Sequence, residues 1–397
     1  MRIALIDPSL FTWPYDAELA LALRSAGNDV TIYGRALEGA GGGVAGEMLQ
    51  RHFYRALDSD WIGRLPRSIF LIFKGLNHFV SMLALLRVLR SDPPDVIHFQ
   101  WTPLPAMDRW FVAALRRIAP TILTVHDSAP FNNNPRSLVQ RWGATRILPR
   151  FDHLIVHTRA AAQRVESYGV DARCVSVIPH GLLGGDIAVP HRDTFRERDD
   201  EDIVRILLFG KIKPYKGLDV LLQAIASLPP EIMRRCKVRV VGAPYMDMAP
   251  LINFAKSTGI ERNVEFDLRF VDDQEIPGIL ARADIMVMPY REIDASGVLM
   301  MALSAGLPIV ASRIGLFAEL LQDGEHGRLV PVEDWQALAA ALSELIADPA
   351  LRVHMGKRVL ALRASIPDWH EIANKTVRLY GEVIALRQSP IPLGVGQ

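Results

Sequence analysis

A chain of 397 residues with 45 Lys and Arg against 44 Asp and Glu carries a formal charge of +1, and half of it is apolar. That balance excludes the basic footprint of a nucleic-acid binder and any dependence on an acidic partner, and the length predicts two domains of roughly 150–200 residues. Only Cys174 and Cys236 are present, without metal-ligand spacing, which excludes a disulfide scaffold and suits a reducing, cytoplasmic compartment.

The opening "MRIALIDPSL" has too short an apolar core for a signal peptide and reads as a first buried strand. Further apolar runs follow in the first half at "VTIY" (30–33), "VIHF" (96–99), "TILTV" (121–125), "HLIVH" (153–157) and "VSVI" (175–178). The second half repeats the pattern with "RILLF" (205–209), "VRVV" (238–241), "VEF" (264–266), "IMVM" (285–288), "PIVA" (308–311) and "RLV" (328–330). Continuous rather than alternating apolar strands are buried on both faces, as in parallel sheets covered by helices. Two blocks of strand-helix alternation therefore predict an α/β protein of two Rossmann-like, doubly wound domains.

Between the blocks, "HRDTFRERDDEDI" (191–203) is charge-rich and reads as a solvated linker. The pattern "WHEIANKTVRLYGEVIAL" (369–386) follows the second sheet, and its amphipathic face is expected to return to the first domain. The expected division is 1–185, 186–367 and a closing helix with a frayed tail over 368–397. Open α/β sheets bind ligands beyond the carboxyl ends of their strands, so two sheets facing a central cleft would carry their chemistry there.

Among the motifs, "LLFGKIKPYKGLDVLLQAI" (207–225) is the most informative. A buried strand ends at Gly210, a basic loop follows and a helix starts near Gly217. Backbone N–H groups and the helix dipole favour an anion there, with Lys211 and Lys216 adding charge onto a pyrophosphate. The plainer alternative is a solvated basic turn. "GGGVAG" (41–46) matches a dinucleotide fingerprint but lacks the strand before it and the helix after it, so it reads as a flexible loop. Residues 51–150 hold 14 Lys and Arg against 6 Asp and Glu, with Arg64, Arg67, Lys74, Arg141, Arg146 and Arg150 interleaved with Trp61, Phe73, Trp110 and Trp142. Within them, "SIFLIFKGLNHFVSMLALLRVLR" (68–90) is interrupted by Lys74, Asn77 and His78, which argues against a spanning helix. It is either a peripheral contact with anionic lipid or the buried stripe of a helix before "VIHF".

"FGKIKPYKG" resembles the F-G-R-x-x-x-x-K-G segment of family 4 glycosyltransferases, which have the GT-B fold. "PDVIHFQW" (94–101), "LTVHD" (123–127), "VSVIPHG" (175–181), "VVGAP" (240–244), "ADIMVMPY" (283–290) and "GLPIVAS" (306–312) fall in that family's order. The resemblance implies that Lys216 holds a donor diphosphate, with Lys211 where the family has Arg, losing the planar fork. It implies that Gly210 lets the backbone approach phosphate, that Gly242 lines the nucleotide site and that His126 lies near donor sugar and acceptor. A His126–Asp127 pair that merely caps a turn is the alternative.

Two segments depart from the family. Its Glu-x7-Glu pair would fall on Ile293 and Met301, and Glu292 is one residue out of register. "SGV" remains, where Ser296, Gly297 and Val298 open a helix and can present N–H groups and a hydroxyl to phosphate; a plain Ser cap is the alternative. Where the family has a Gly-Gly pair after its first strand, Tyr15 and Asp16 stand instead. Asp16 is expected either as a general base facing the cleft or as a helix cap. Retention and inversion both fit, with Asp16, His126 and Asp127 as candidate bases for inversion.

The resemblance thus implies transfer of a hexose from a nucleotide diphosphate sugar to a glycan or lipid-linked saccharide, without cofactor or metal. A nucleotide-sugar epimerase and a non-catalytic partner on the same fold are the rivals.

Overall fold

Each apolar run named above is a strand in the computed structural model, which describes residues 1–37, 43–55, 66–128, 143–183 and 202–388. The chain divides into two compact units, one of Met1–Gly181 with Pro367–Gln397 and the other of Leu182–Ile366. The linker up to residue 201, the tail past Gln388, and Trp61, Arg64, Arg141 and Trp142 lie outside the described residues.

The first unit runs β1 (Arg2–Asp7), α1 (Trp13–Ser25), β2 (Asp29–Gly34), α2 (Gly43–Gly46), β3 (Leu49–Arg51), α3 (Arg67–Ser91), β4 (Val96–Phe99), α4 (Pro105–Leu115), β5 (Thr121–Val125), β6 (His153–Val156), α5 (Arg159–Ser167) and β7 (Val175–Val177). Its parallel strands lie in the order β3-β2-β1-β4-β5-β6-β7. The order reverses between β1 and β4, which opens a crevice at their carboxyl ends.

The second unit runs β8 (Val204–Phe209), α6 (Leu218–Ala226), α7 (Pro230–Met233), β9 (Cys236–Val241), α8 (Ala249–Ser257), β10 (Val264–Asp267), α9 (Ile276–Ala281), β11 (Ile285–Met288), α10 (Gly297–Ser304), β12 (Ile309–Ser312), α11 (Gly315–Leu320), β13 (Gly327–Val330), α12 (Trp335–Ala347) and α13 (Pro349–Arg363). Its parallel order is β10-β9-β8-β11-β12-β13, and the switch point falls between β8 and β11.

Two layers cover the first sheet. Met82, Leu85 and Leu89 of α3, Phe111 and Val112 of α4, and Val165 of α5 pack on one face. Leu19 and Leu23 of α1 pack on the other, together with Ile372, Leu379, Tyr380 and Val383 of the last helix, α14 (Trp369–Gln388). One polar bond fixes α14 to the sheet: the Tyr380 hydroxyl lies 2.6 Å from Nδ1 of buried His98, whose Nε2 is 2.7 Å from the Thr124 hydroxyl.

Three local readings change. The last four residues of "GGGVAG" form helix α2, because Ala45 buries its methyl in the α1 core. The edge strand β3 was not foreseen, since "LQR" is short and has one apolar side chain. Helix α3 is half a buried stripe: its last three turns enter the core, whereas Leu71, Ile72 and Leu76 of its first half and Val80 just past its middle are exposed, Ile72 at 71%. His78 anchors the middle through Asp108 (2.6 Å) and the Tyr54 hydroxyl (3.2 Å), so this helix is docked on its unit.

Tyr380→Phe leaves one nitrogen of buried His98 without its partner. We expect a loss of about 1–3 kcal/mol of stability in urea denaturation, and an unchanged midpoint would show that this bond does not hold α14.

Candidate active site

In the second unit, strand β8 delivers Gly210 to the switch point, where its N–H donates to the Val241 carbonyl (2.9 Å). Gly242 then passes so close that a Cβ on it would lie 2.2 Å from the Gly210 carbonyl oxygen. At the start of α6, Gly217 has φ +66°, and a Cβ there would lie 2.0 Å from the Pro289 carbonyl oxygen. No side chain fits either position.

This turn aims Lys216 inward. Its side chain is only 3% exposed, its Nζ donates to the Phe209 carbonyl (2.6 Å), and the ammonium stands 5.2 Å from the centre of the Tyr290 ring. Burial lowers its pKa to about 7, with Lys213 and Lys211 adding repulsion. Lys211 itself is exposed at the same edge.

The facing wall comes from α10. Val298 lies 3.2 Å from where a Cβ of Gly210 would sit, so Gly210, Lys216, Gly242 and Val298 converge. Gly297 follows the cap Ser296, whose hydroxyl accepts from the Leu299 N–H (3.2 Å), so the cap alternative for Ser296 is the one observed. Glu292 lies in the loop between β11 and α10. Arg291 ties that loop down with a fork onto Asp219 (2.9 and 2.7 Å) and further bonds to Glu333 (2.7 Å) and the Pro214 carbonyl (2.8 Å).

In the first unit, β5, β6 and β7 are each followed by a histidine: His126, His157 and His180. All three ring centres lie within 4.8–5.2 Å of the Tyr15 ring, and Trp369 is 5.1 Å from it on a fourth side. His157 Nδ1 donates to the Ile178 carbonyl (3.0 Å), so its Nε2 accepts from His126 Nδ1 (3.3 Å). His126 Nε2 lies 3.1 Å from the Gln100 side-chain oxygen. Burial keeps the group neutral, lowering His157 to about 4 and His180 to about 3; His126 is pushed well below its usual value by burial and then by His157. Asp127, next to His126, is exposed. At the same sheet edge, Phe11 stacks on Trp101 with ring centres 4.7 Å apart.

Asp16 is not presented as a base facing a cleft. It is 0% exposed in the first turn of α1, where both carboxyl oxygens approach the Thr12 hydroxyl (3.1 and 3.2 Å). Neighbouring Asp7 accepts from the N–H groups of Ser9 and Thr12 (3.1 Å each). Burial raises the pKa of Asp7, and those donors hold the rise below that of Asp16. Burial, and then the charge of Asp7, drive the pKa of Asp16 well up, so Asp16 holds the proton of the pair. It does not cap α1 either, whose first residue is preceded by Thr12 without a side-chain cap bond.

Arg291, His157, His180 and Trp369 escaped the sequence reading. The histidines carried a usable signal, since each follows a strand of one parallel sheet. Arg291 carried none, because its partners lie 42 and 72 residues away.

Two doubly wound parallel sheets, one carrying a glycine–lysine turn at its switch point, are the architecture of GT-B glycosyltransferases. Residues 204–348 match the family described as Glycosyl transferases group 1, and residues 16–182 match Glycosyltransferase Family 4. The chain belongs to this family of glycosyltransferases. It is 28% identical to the D-inositol 3-phosphate glycosyltransferase of Corynebacterium efficiens, over 72% of this chain and 71% of that one. It is 27% identical to D-inositol 3-phosphate glycosyltransferase 2 of Catenulispora acidiphila, over 93% of this chain and 89% of that one. Among solved structures, Anabaena HepE in complex with UDP-glucose matches with a TM-score of 0.74 at 19% identity, covering 96% of this chain and all of HepE. The sucrose-phosphate synthase of Thermosynechococcus elongatus matches with a TM-score of 0.74 at 18% identity, covering 97% of this chain and all of that one.

The neutral histidines set an acid limit. Their folded pKa values lie below the unfolded one, so the stability they confer is complete above about pH 6.5 and is lost as pH falls. His98, held near pKa 3, joins His126, His157 and His180, while the raised Asp16 offsets one proton. We expect unfolding between about pH 6 and 4.5 to take up roughly three protons, a slope of about 4 kcal/mol per pH unit. A flat stability profile over that range would contradict the cluster.

Proposed function

We propose that this glycosyltransferase transfers a hexose from a nucleotide diphosphate sugar to a lipid-linked saccharide or glycan. The observation that carries the donor half is Lys216, an ammonium buried at the switch point against a carbonyl and a ring face. A diphosphate replaces the carbonyl with two negative charges, and the N–H groups opening α6 and α10 add donors. Lys211 supplies surface charge, and Gly210 and Gly242 leave room for the backbone to close on phosphate. These groups stabilise the leaving diphosphate without any metal or cofactor. UDP-glucose in HepE, a protein of similar fold, supports this class of donor.

On the first unit, His126 is the side chain offered to the transferred sugar and acceptor. Its Nδ1 proton is committed to His157, which leaves Nε2 to take a proton. The Gln100 side-chain oxygen, 3.1 Å from Nε2, accepts from the imidazolium that results. Asp127 is exposed beside it, whereas the proton on Asp16 removes that carboxyl from the role of base. The Phe11–Trp101 stack offers a flat apolar surface of the kind that packs on a sugar ring. The exposed apolar half of α3 favours an acceptor held at a membrane surface, reached from the cytoplasmic side.

Lys216 gives the donor assignment a pH signature. The ammonium is half deprotonated near pH 7 and fully present about a unit below it, and a bound anion raises its pKa. Affinity for a nucleotide sugar is therefore expected to fall up to tenfold per pH unit above 7, with proton uptake on binding. Titration calorimetry of UDP- and GDP-sugars from pH 6 to 9 measures this. Lys216→Met should weaken binding at least tenfold and abolish the slope; a variant that keeps wild-type affinity would sink the donor site.

The acceptor is tested by offering a lipid-linked saccharide in vesicles beside D-inositol 3-phosphate, the acceptor in the relatives' names. We expect transfer to the lipid-linked acceptor. Transfer to inositol phosphate alone would replace this reading, and nucleotide-sugar turnover with no acceptor would point to epimerisation.

A further inference from the structure

Four guanidinium groups converge on the first unit well away from the histidine cluster. Arg109 of α4, Arg116 just past its end, and Arg146 and Arg150 ahead of β6 line a concavity of about 520 Å³ with Pro149 and Tyr168. Asp152 answers Arg116, at 2.6 Å from Nη2 and 3.0 Å from Nε. The other three have no acidic partner among the described residues. Arg109 Nε is buried without any hydrogen-bond partner, and its guanidinium lies 5.0 Å from the centre of the Trp110 ring. Arginines brought together in this way match an anion with several acceptor oxygens, which each planar fork can bind in two places.

The location separates this concavity from the sugar chemistry. In a parallel sheet, each helix runs back from the carboxyl ends of the strands to their amino ends. Arg116 follows α4, Arg146 and Arg150 precede β6, and Tyr168 follows α5, so all four residues sit where strands begin. His126, Phe11 and Trp101 sit where strands finish.

The surface beside it is apolar. α3 and α4 cover the same face of the sheet and pack through Phe79 and Phe111, with ring centres 5.5 Å apart. Trp110 is 69% exposed on α4, and Leu71, Ile72, Leu76 and Val80 are exposed on α3. Within Ile69–Ser91, an 18-residue window has a mean hydropathy of 1.8, and only 28% of that window is buried. A dissolved phosphate ester would need the arginines alone. An arginine pocket joined through a tryptophan to an uncovered apolar helix fits a ligand with a phosphate at one end and hydrocarbon at the other.

We infer that the α3–α4 face seats on an anionic phospholipid surface, with a headgroup phosphate in the pocket of Arg109, Arg116, Arg146 and Arg150. This rests on the reading of a membrane-held acceptor and gives that reading a specific contact. Trp110 and the exposed residues of α3 enter the interface beside the headgroup. The polar rim of the pocket sets depth and orientation.

The test is co-sedimentation of the full chain with phosphatidylglycerol–phosphatidylcholine vesicles and with pure phosphatidylcholine vesicles. We expect wild type to prefer the anionic vesicles. Arg146→Glu with Arg150→Glu should lower that binding at least tenfold, and Ile72→Glu with Leu76→Glu should also lower it. Nucleotide-sugar affinity should be unchanged in both pairs, showing that each variant is folded. Anionic-vesicle binding unaffected by the arginine reversals overturns the inference, as does a wild type that ignores all vesicles. Tight calorimetric binding of inorganic phosphate or glycerol 3-phosphate that the reversals abolish, without vesicle binding, assigns the pocket to a soluble anion and overturns the lipid occupant. Failure of the transferase reading looks different: the arginine-dependent vesicle binding persists, but no sugar is transferred.

Discussion

The second unit is arranged around one expensive choice, an ammonium group held out of water. Burying Lys216 costs enough to bring its pKa down to about 7, and several features exist only to hold it there. Gly217 adopts a left-handed turn against the Pro289 carbonyl, where a Cβ would collide. Tyr290 provides a ring face, and Arg291 pins the loop after β11 to the turn before α6 by bonding Asp219 and the Pro214 carbonyl. A preorganised cation is worth more to an incoming anion than a mobile one, because little further ordering is needed on binding.

The first unit follows the opposite rule. Its histidines around Tyr15 are buried as neutral species, His157 and His126 linked by a shared hydrogen bond, and Asp16 has its pKa driven up beside Asp7. The two carboxyls show how environment divides roles between identical groups. Burial raises the pKa of both; backbone N–H donors offset that rise at Asp7, whereas the charge of Asp7 adds to it at Asp16. A sequence shows two aspartates nine residues apart and says nothing of which is which.

That contrast marks how far the sequence could be read. Strand positions were legible because burial on both faces leaves unbroken apolar runs, and the turn through Gly210, Lys216 and Gly217 was legible because a tight strand-to-helix turn needs glycines at its ends. The family resemblance rested on the order of such segments, and the matches over residues 16–182 and 204–348 agree with it. Asp16 was misread because solvent exposure is a tertiary property, decided by Thr12, Asp7 and the packing of α1. Helix α3 was only half legible, since the same apolar composition serves a core-facing stripe and an uncovered one. Ser296 caps α10 through its hydroxyl, a geometry the sequence already offered.

Helix α14 has a consequence for how the molecule is made. Tyr380, Ile372 and Val383 complete a core whose members outside α14 lie between Ile3 and Ile178, and the whole of Leu182–Ile366 intervenes. The first unit is therefore discontinuous in the chain, while the second is continuous. During synthesis, the second unit can fold as soon as it clears the ribosome, whereas the α1 side of the first sheet waits uncovered for α14. The unit begun first is the last to be finished, and for that interval its apolar face depends on slow translation or a chaperone for protection.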